Sequence, residues 1–166
     1  MVEIRSAEVG DLPGILAIYN EVIASSTAVY SDDPATLENR RAWFEGRRSR
    51  GFPVIVGVDA SGIAGFSSFG DFRGVYSGYR HTVEHSVHIR SDLRGQGLGK
   101  RLVEALFPHA TAMNVHVMIG AIDAANAGSM RFHEKLGFTQ AGLFREVGRK
   151  FDRWLDLVFM QRILEA

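Results

Sequence analysis

Arg90-Ser91-Asp92-Leu93-Arg94-Gly95-Gln96-Gly97-Leu98-Gly99-Lys100 joins two segments of different period. Before it, residues 81–89 alternate like a strand. After it, Leu98, Leu102, Val103, Leu106 and Ala110 recur on one face of a helix predicted over residues 98–113. Glycines let backbone approach an anion closely, and the first N–H groups of a helix lack intrahelical acceptors. Strand, glycine turn and helix start therefore predict an anion site, reinforced by the helix dipole and by Arg94, Lys100 and Arg101. A P-loop does not fit: Arg94 stands where its first glycine belongs, and Arg101 replaces the magnesium-binding Ser or Thr. The dinucleotide fingerprint does not fit either, since Lys100 occupies its last glycine position. On the turn alone, an ordinary flexible loop capping a helix remains a competing reading.

Working outward, residues 2–6 read as a strand. A helix follows, with Asp11 as its cap, Pro13 in its first turn, and Leu12, Ile15, Leu16, Tyr19, Val22 and Ile23 in phase. Pro34 opens a second helix carrying Leu37, Trp43 and Phe44, rich in Arg and Glu elsewhere, which Gly51 ends. Residues 53–58 and 63–69 flank the turn Asp59-Ala60-Ser61-Gly62 as a hairpin. Residues 71–80 read as a loop, 115–122 as an apolar strand, 126–136 as a short helix stopped by Gly137, and 138–147 and 154–163 as closing strands. This order predicts an α/β or α+β domain with helices on both faces of a central sheet.

Composition narrows the function. The 166 residues predict a single domain, 1–166, with a core of useful size. Lys plus Arg equals Asp plus Glu at 19 each, which argues against a nucleic-acid binder. The absence of cysteine removes thiolate nucleophiles, disulfides and Cys-based zinc sites. No apolar run approaches the ~20 residues needed to span a bilayer, and no leader pattern stands at the N-terminus, so a cytoplasmic protein without membrane contact is expected. His81 and His85 share a strand face but sit ~13 Å apart, and His88 points the other way, so no metal site is expected.

Further along, Asn126, Ser129 and His133 lie at i, i+3 and i+7 on one helix face, closed by Gly137-Phe138. Arg94-Gly95-Gln96-Gly97-Leu98-Gly99 and the run from Asn126 to Phe138 together resemble the coenzyme A-binding pattern of the GNAT N-acetyltransferase superfamily. His133 stands where that family usually has tyrosine. Thr82-Val83-Glu84-His85-Ser86-Val87, Met130 to Phe138 and Lys150-Phe151-Asp152-Arg153-Trp154-Leu155-Asp156 look like its phosphinothricin/methionine sulfoximine acetyltransferase branch. The resemblance implies a central mixed, mostly antiparallel twisted sheet of about seven strands with helices on both faces. It implies acetyl-CoA as cofactor, a small amino acid or analogue as acceptor, and a homodimer. Arg94, Gly95, Gln96, Gly97, Leu98, Gly99 and Lys100 would hold the phosphates. Val87, His88 and Ile89 would pair with the pantetheine amides, joined by Asn126 and Ser129.

Transfer to an amine needs a base for the ammonium, a donor for the carbonyl oxygen and a proton for the leaving thiolate. With no Cys and no Ser in a nucleophile elbow, direct attack by the amine is expected. Glu84 is the candidate base: a mid-strand carboxylate beside Val83 is costly to bury, and burial raises its pKa. A salt bridge from Glu84 to Arg80 or Arg73 is the competing reading. His133 is the candidate acid, and the N–H of Val87 the candidate oxyanion donor. Arg73, Gly74, Val75 and Arg80, with Glu84, His85 and Ser86, are expected to bind the acceptor, Arg offering a fork for a carboxylate. Protein N-termini or polyamines remain alternative acceptors, and a non-catalytic acyl-CoA binder remains a competing function. Residues 151–160 are apolar on both strand faces, which puts the expected dimer contact near Trp154.

Overall fold

The computed structural model describes residues 1–164. Chain order is β1 (Glu3–Ser6), α1 (Leu12–Ser25), α2 (Leu37–Ser49), β2 (Val54–Asp59), β3 (Gly62–Asp71), β4 (Thr82–Ile89), α3 (Leu98–Glu104), α4 (Phe107–Ala112), β5 (Val117–Asp123), α5 (Ala127–Lys135), β6 (Thr139–Lys150) and β7 (Arg153–Ile163). Seven strands form one sheet in the order β1-β2-β3-β4-β5-β7-β6. Every pair is antiparallel except β4–β5. A parallel pair needs a crossover, which α3 and α4 supply.

Each face of the sheet has its own core. Leu12, Ile15 and Ile18 of α1 and Phe44 of α2 close over Val54, Val56 and Phe66. On the opposite face Leu98, Leu102, Val103, Leu106 and Ala110 pack on Phe69, Val83, Met118, Ile122, Val158 and Met160. The alternation of β4 serves both: Val83 is buried in the second core, whereas the His88 ring lies 5.3 Å from Phe66 of the first.

Local differences from the sequence reading have physical causes. The helix expected over 98–113 is two helices. Pro108 lacks the N–H that the Glu104 carbonyl would accept, and its ring crowds that carbonyl, so α3 ends at Glu104. Asp11 stands at the start of α1 but does not cap it with its side chain. Its carboxylate instead takes a fork from Arg5 at 2.7 and 2.9 Å and the amide of Glu8 at 2.8 Å. The second helix starts after Pro34, at Leu37, capped by Thr36, whose side chain accepts from Asn39 N. β6 runs past 147 to Lys150 through an irregularity between Phe144 and Gly148, where Glu146 has φ 53° and its N–H donates to Asp156 Oδ1.

Candidate active site

β4 and β5 pair only from Thr82↔Val117 to His85↔Gly120. Beyond that point β4 stays bonded to β3 as far as Ile89, and β5 stays bonded to β7 as far as Asp123. The facing edges, residues 86–89 and 121–123, are therefore not paired with each other. Backbone groups on such an edge need other partners. A cavity of about 400 Å³ occupies this gap. Side chains from both faces of the sheet line it: Tyr19, Arg40, Trp43 and Arg47 on the α1/α2 side, Ser129, Phe132 and His133 on the α5 side. Glu84, His85, Ser86, Val87 and His88 of β4 lie between them, and residues 28–30 close one end.

Glu84 is half-buried, and burial raises its carboxyl pKa above the ordinary value while Arg47 opposes the rise. It makes no ion pair among the described residues, so the competing bridge to Arg73 or Arg80 is not present. The charged neighbour that matters is Arg47 of α2. A carboxylate that is desolvated but unpaired, at the wall of a cavity, fits general-base work.

Beside it lies a pair of buried imidazoles. His133 Nδ1 is 2.7 Å from the carbonyl of Ser129, and a carbonyl only accepts, so Nδ1 carries the proton. His133 Nε2 lies 3.1 Å from His85 Nε2, one of the two donating to the other. His85 Nδ1 is buried without a partner among the described residues. Burial, with His133 and His88 nearby, pushes His85 down to about 3; burial also lowers His133. Gly120 makes the pair possible, because a Cβ there would stand 3.0 Å from His133 Nε2 and 3.1 Å from His85 Nε2. His133 keeps its Nδ1 proton in the bond to the Ser129 carbonyl; burial lowers its pKa, and this contact raises it. His88 is pushed down to about 4 by burial and by Arg40 and Arg94.

The glycine turn has the conformation its composition suggests. Gly95 and Gly97 have φ 76° and 83°, a left-handed backbone that favours glycine, and the space beside each is open. Arg94 Nε donates to Ile89 O at 3.2 Å and Gln96 Nε2 to Asp92 O at 3.0 Å, holding the turn against the end of β4. Leu98 is buried under it, Gly99 packs beside Phe132 of α5, and exposed Lys100 pairs with Glu104 at 3.7 Å. Asn126 caps α5, its Oδ1 accepting from Ser129 N at 3.0 Å, and both residues line the cavity. The turn's backbone and its cations fit a phosphorylated ligand, and the free edges of β4 and β5 fit the amides of a pantetheine arm.

Four expected acceptor residues lie elsewhere. Arg73, Gly74, Val75 and Arg80 do not line the cavity of this chain. Arg73 stacks over Tyr76 and Tyr79 at 5.5 and 5.2 Å, Arg80 Nη1 bonds Ser77 O, and Val75 is 91% exposed. Phe72 packs on Phe159, so the base of this loop leans towards β7 rather than over Glu84. Arg40, Trp43 and Arg47 line that side of the cavity instead. Their spacing at i, i+3 and i+7, in phase with Phe44, was the signal available in the sequence. Tyr19 and Tyr30 also line the cavity without having been expected there.

Comparison with known proteins agrees with this geometry. Residues 15–138 match the sequence profile of the acetyltransferase (GNAT) family. The L-methionine sulfoximine/L-methionine sulfone acetyltransferase of Pseudomonas aeruginosa is 50% identical over 163 residues, which cover 98% of this chain and 94% of that one. A crystal structure of an N-acetyltransferase from Staphylococcus aureus Mu50 superposes with a TM-score of 0.96 at 39% identity, covering 99% of both chains. The phosphinothricin acetyltransferase of Sinorhizobium meliloti, solved in complex with acetyl-CoA, gives 0.93 at 34% identity, covering 98% of this chain and 88% of that one.

Proposed function

This chain belongs to the acetyltransferase (GNAT) family, and from that premise we propose that it acetylates the α-amino group of a small amino acid or analogue of the methionine sulfoximine or phosphinothricin kind. The observation that carries the reading is Glu84. It is a desolvated, unpaired carboxylate at the point where β4 and β5 part, inside a cavity open to residues from both sheet faces.

Acetyl-CoA, when bound, supplies an activated acetyl group. Arg94, Gly95, Gln96, Gly97, Leu98, Gly99 and Lys100 hold its phosphates, supported by the left-handed glycines and the open space at the turn. The backbone of Val87, His88 and Ile89 takes the pantetheine amides, with Asn126 and Ser129 across the gap. Glu84, ionised, accepts the proton of the acceptor's ammonium, directly or through water, and the amine attacks without a covalent enzyme intermediate. The N–H of Val87 supports the carbonyl oxygen. As the amide forms the C–S bond breaks, and His133, the proposed acid, whose Nε2 lies 3.1 Å from His85 Nε2, gives a proton to the coenzyme A thiolate.

The protein works as a cytoplasmic homodimer in this reading. Leu143, Phe144, Val147 and Trp154 are exposed on the β6–β7 hairpin at the sheet edge, which supports a partner there. No helix among the described residues is long and apolar enough to cross a membrane.

A thiol-release assay with acetyl-CoA tests the function. The expected result is turnover with methionine sulfone, methionine sulfoximine or phosphinothricin. Turnover confined to polyamines or peptide N-termini would overturn the choice of acceptor.

A further inference from the structure

Resting on the amino-acid reading above, we propose that Arg47, cradled on Gly70 beside Glu84, is the receptor for the acceptor's carboxylate and makes the enzyme prefer amino acids to plain amines.

The cavity wall formed by α2 carries two arginines in different states. Arg40 is buried and satisfied: its Nε and Nη2 donate to Asn39 Oδ1 at 3.0 and 2.8 Å, and its guanidinium stacks on Tyr19 at 4.1 Å and Trp43 at 5.0 Å. Arg47 is not satisfied. Its guanidinium donates no hydrogen bond among the described residues, and its Nε is buried without a partner. Two ring faces hold it in place, Trp43 at 6.0 Å and Phe52 at 5.9 Å. A desolvated cation with free donors costs folding energy unless a ligand uses it.

Its seat is built for it. A Cβ on Gly70 would lie 1.6 Å from Arg47 Nη1 and 2.3 Å from its Cζ, so only glycine leaves room for the guanidinium there. Gly70 pairs with Glu84 across the β3–β4 ladder. The seat therefore sets a cation next to the proposed base, close enough to influence it, without forming an ion pair.

The order of charges matches one class of ligand. An α-amino acid carries its ammonium and its carboxylate on the same carbon. With the amine at Glu84, the carboxylate needs a cation near that glutamate, and Arg47 is the α2 cation that acts on it; Asp71, which also acts on Arg47, is itself paired with Arg50. A guanidinium offers the planar fork a carboxylate fits. The zwitterion completes the Glu84–Arg47 arrangement, each end facing its opposite charge. A plain amine would leave the buried Nε of Arg47 without a partner, which disfavours it.

The test compares methionine sulfone with the amine left by removing its carboxylate, each assayed for kcat/KM with saturating acetyl-CoA. The parent enzyme should prefer the amino acid. Arg47→Gln should shrink that preference by about tenfold or more, as loss of a charge-assisted pair implies. Gly70→Ala should do the same while keeping the arginine, because the new methyl displaces the guanidinium from its seat. It also carries the test if Arg47→Gln does not fold. Arg47→Lys should recover part of the preference. Equal loss on both substrates, or a preference unchanged in Gly70→Ala and Arg47→Gln, would overturn the assignment. A parent enzyme that acetylates the amine as readily as the amino acid would also overturn it, leaving acetyl transfer itself intact. A parent that acetylates no amine would fail the enzymatic reading and the role of Arg47 with it.

Discussion

Two desolvated cations, buried Lys150 at the end of β6 and half-buried Arg47 on α2, show opposite solutions to the same physical problem. Lys150 has no exposed surface, and its Nζ donates to the carbonyls of Ile23, Ser26 and Val29 at 2.6, 2.7 and 2.9 Å. All three of its donors are used. The lysine closes the C-terminal end of α1 and pins the chain that continues into the cavity wall. Arg47 sits at that same cavity with its Nε buried and without a partner among the described residues. A buried charge that is fully satisfied by its own chain serves the fold. One left open beside a cavity is available to a ligand, at a cost in stability.

Removing Glu84, the other charge at the open site, should have the largest effect. Glu84→Gln is expected to lower kcat by about 10²–10⁴-fold while coenzyme A still binds. Stopped-time assays beside calorimetry of coenzyme A would read both. Unchanged turnover across pH would remove Glu84 from the chemistry and erase the functional half of the comparison.

Lys150→Met tests the structural half. Three carbonyls lose their donor, so the variant should be less stable by about 3 kcal/mol in denaturant unfolding. Its preference between amino acid and amine, assayed where it is folded, should not change. A shift in preference with little loss of stability would reverse the roles assigned to the two cations.

The smallest effect sharpens the link between Arg47 and Glu84. Burial raises the Glu84 pKa and Arg47 lowers it. The ionised form is the base, so kcat/KM should rise with pH along a limb above the ordinary glutamate range. Removing Arg47 removes the lowering influence, so the limb of Arg47→Gln should move to higher pH on the amine that lacks a carboxylate. The sign for stability is the reverse of a salt-bridged carboxylate. The folded protein holds this proton to higher pH than the unfolded chain does, so Glu84 costs stability as pH rises through that interval. Relative to the parent, Glu84→Gln should therefore gain stability with rising pH. A limb that stays put in Arg47→Gln would show that the two groups do not sense each other.

The sequence determined much of this by itself. Apolar spacing gave the strands and helices in order, because periodicity reports which face of an element is buried. The glycines of the turn announced a left-handed backbone that Gly95 and Gly97 adopt. Glu84 stood out because a carboxylate in a strand among apolar neighbours is expensive without a purpose. What only the tertiary structure decided was who meets whom. Arg47 and Glu84 are far apart in the chain, and Arg73 is nearer to Glu84 in sequence, yet α2 packing over Gly70 brings in the distant arginine and the lean of the loop onto Phe159 takes the near one away. The contact between His133 and His85 was likewise invisible, since the two belong to different elements. Periodicity carries the face of a residue but not its partner, and the chemistry of this site depends on partners set by strand order, helix packing and two missing Cβ atoms, at Gly70 and Gly120.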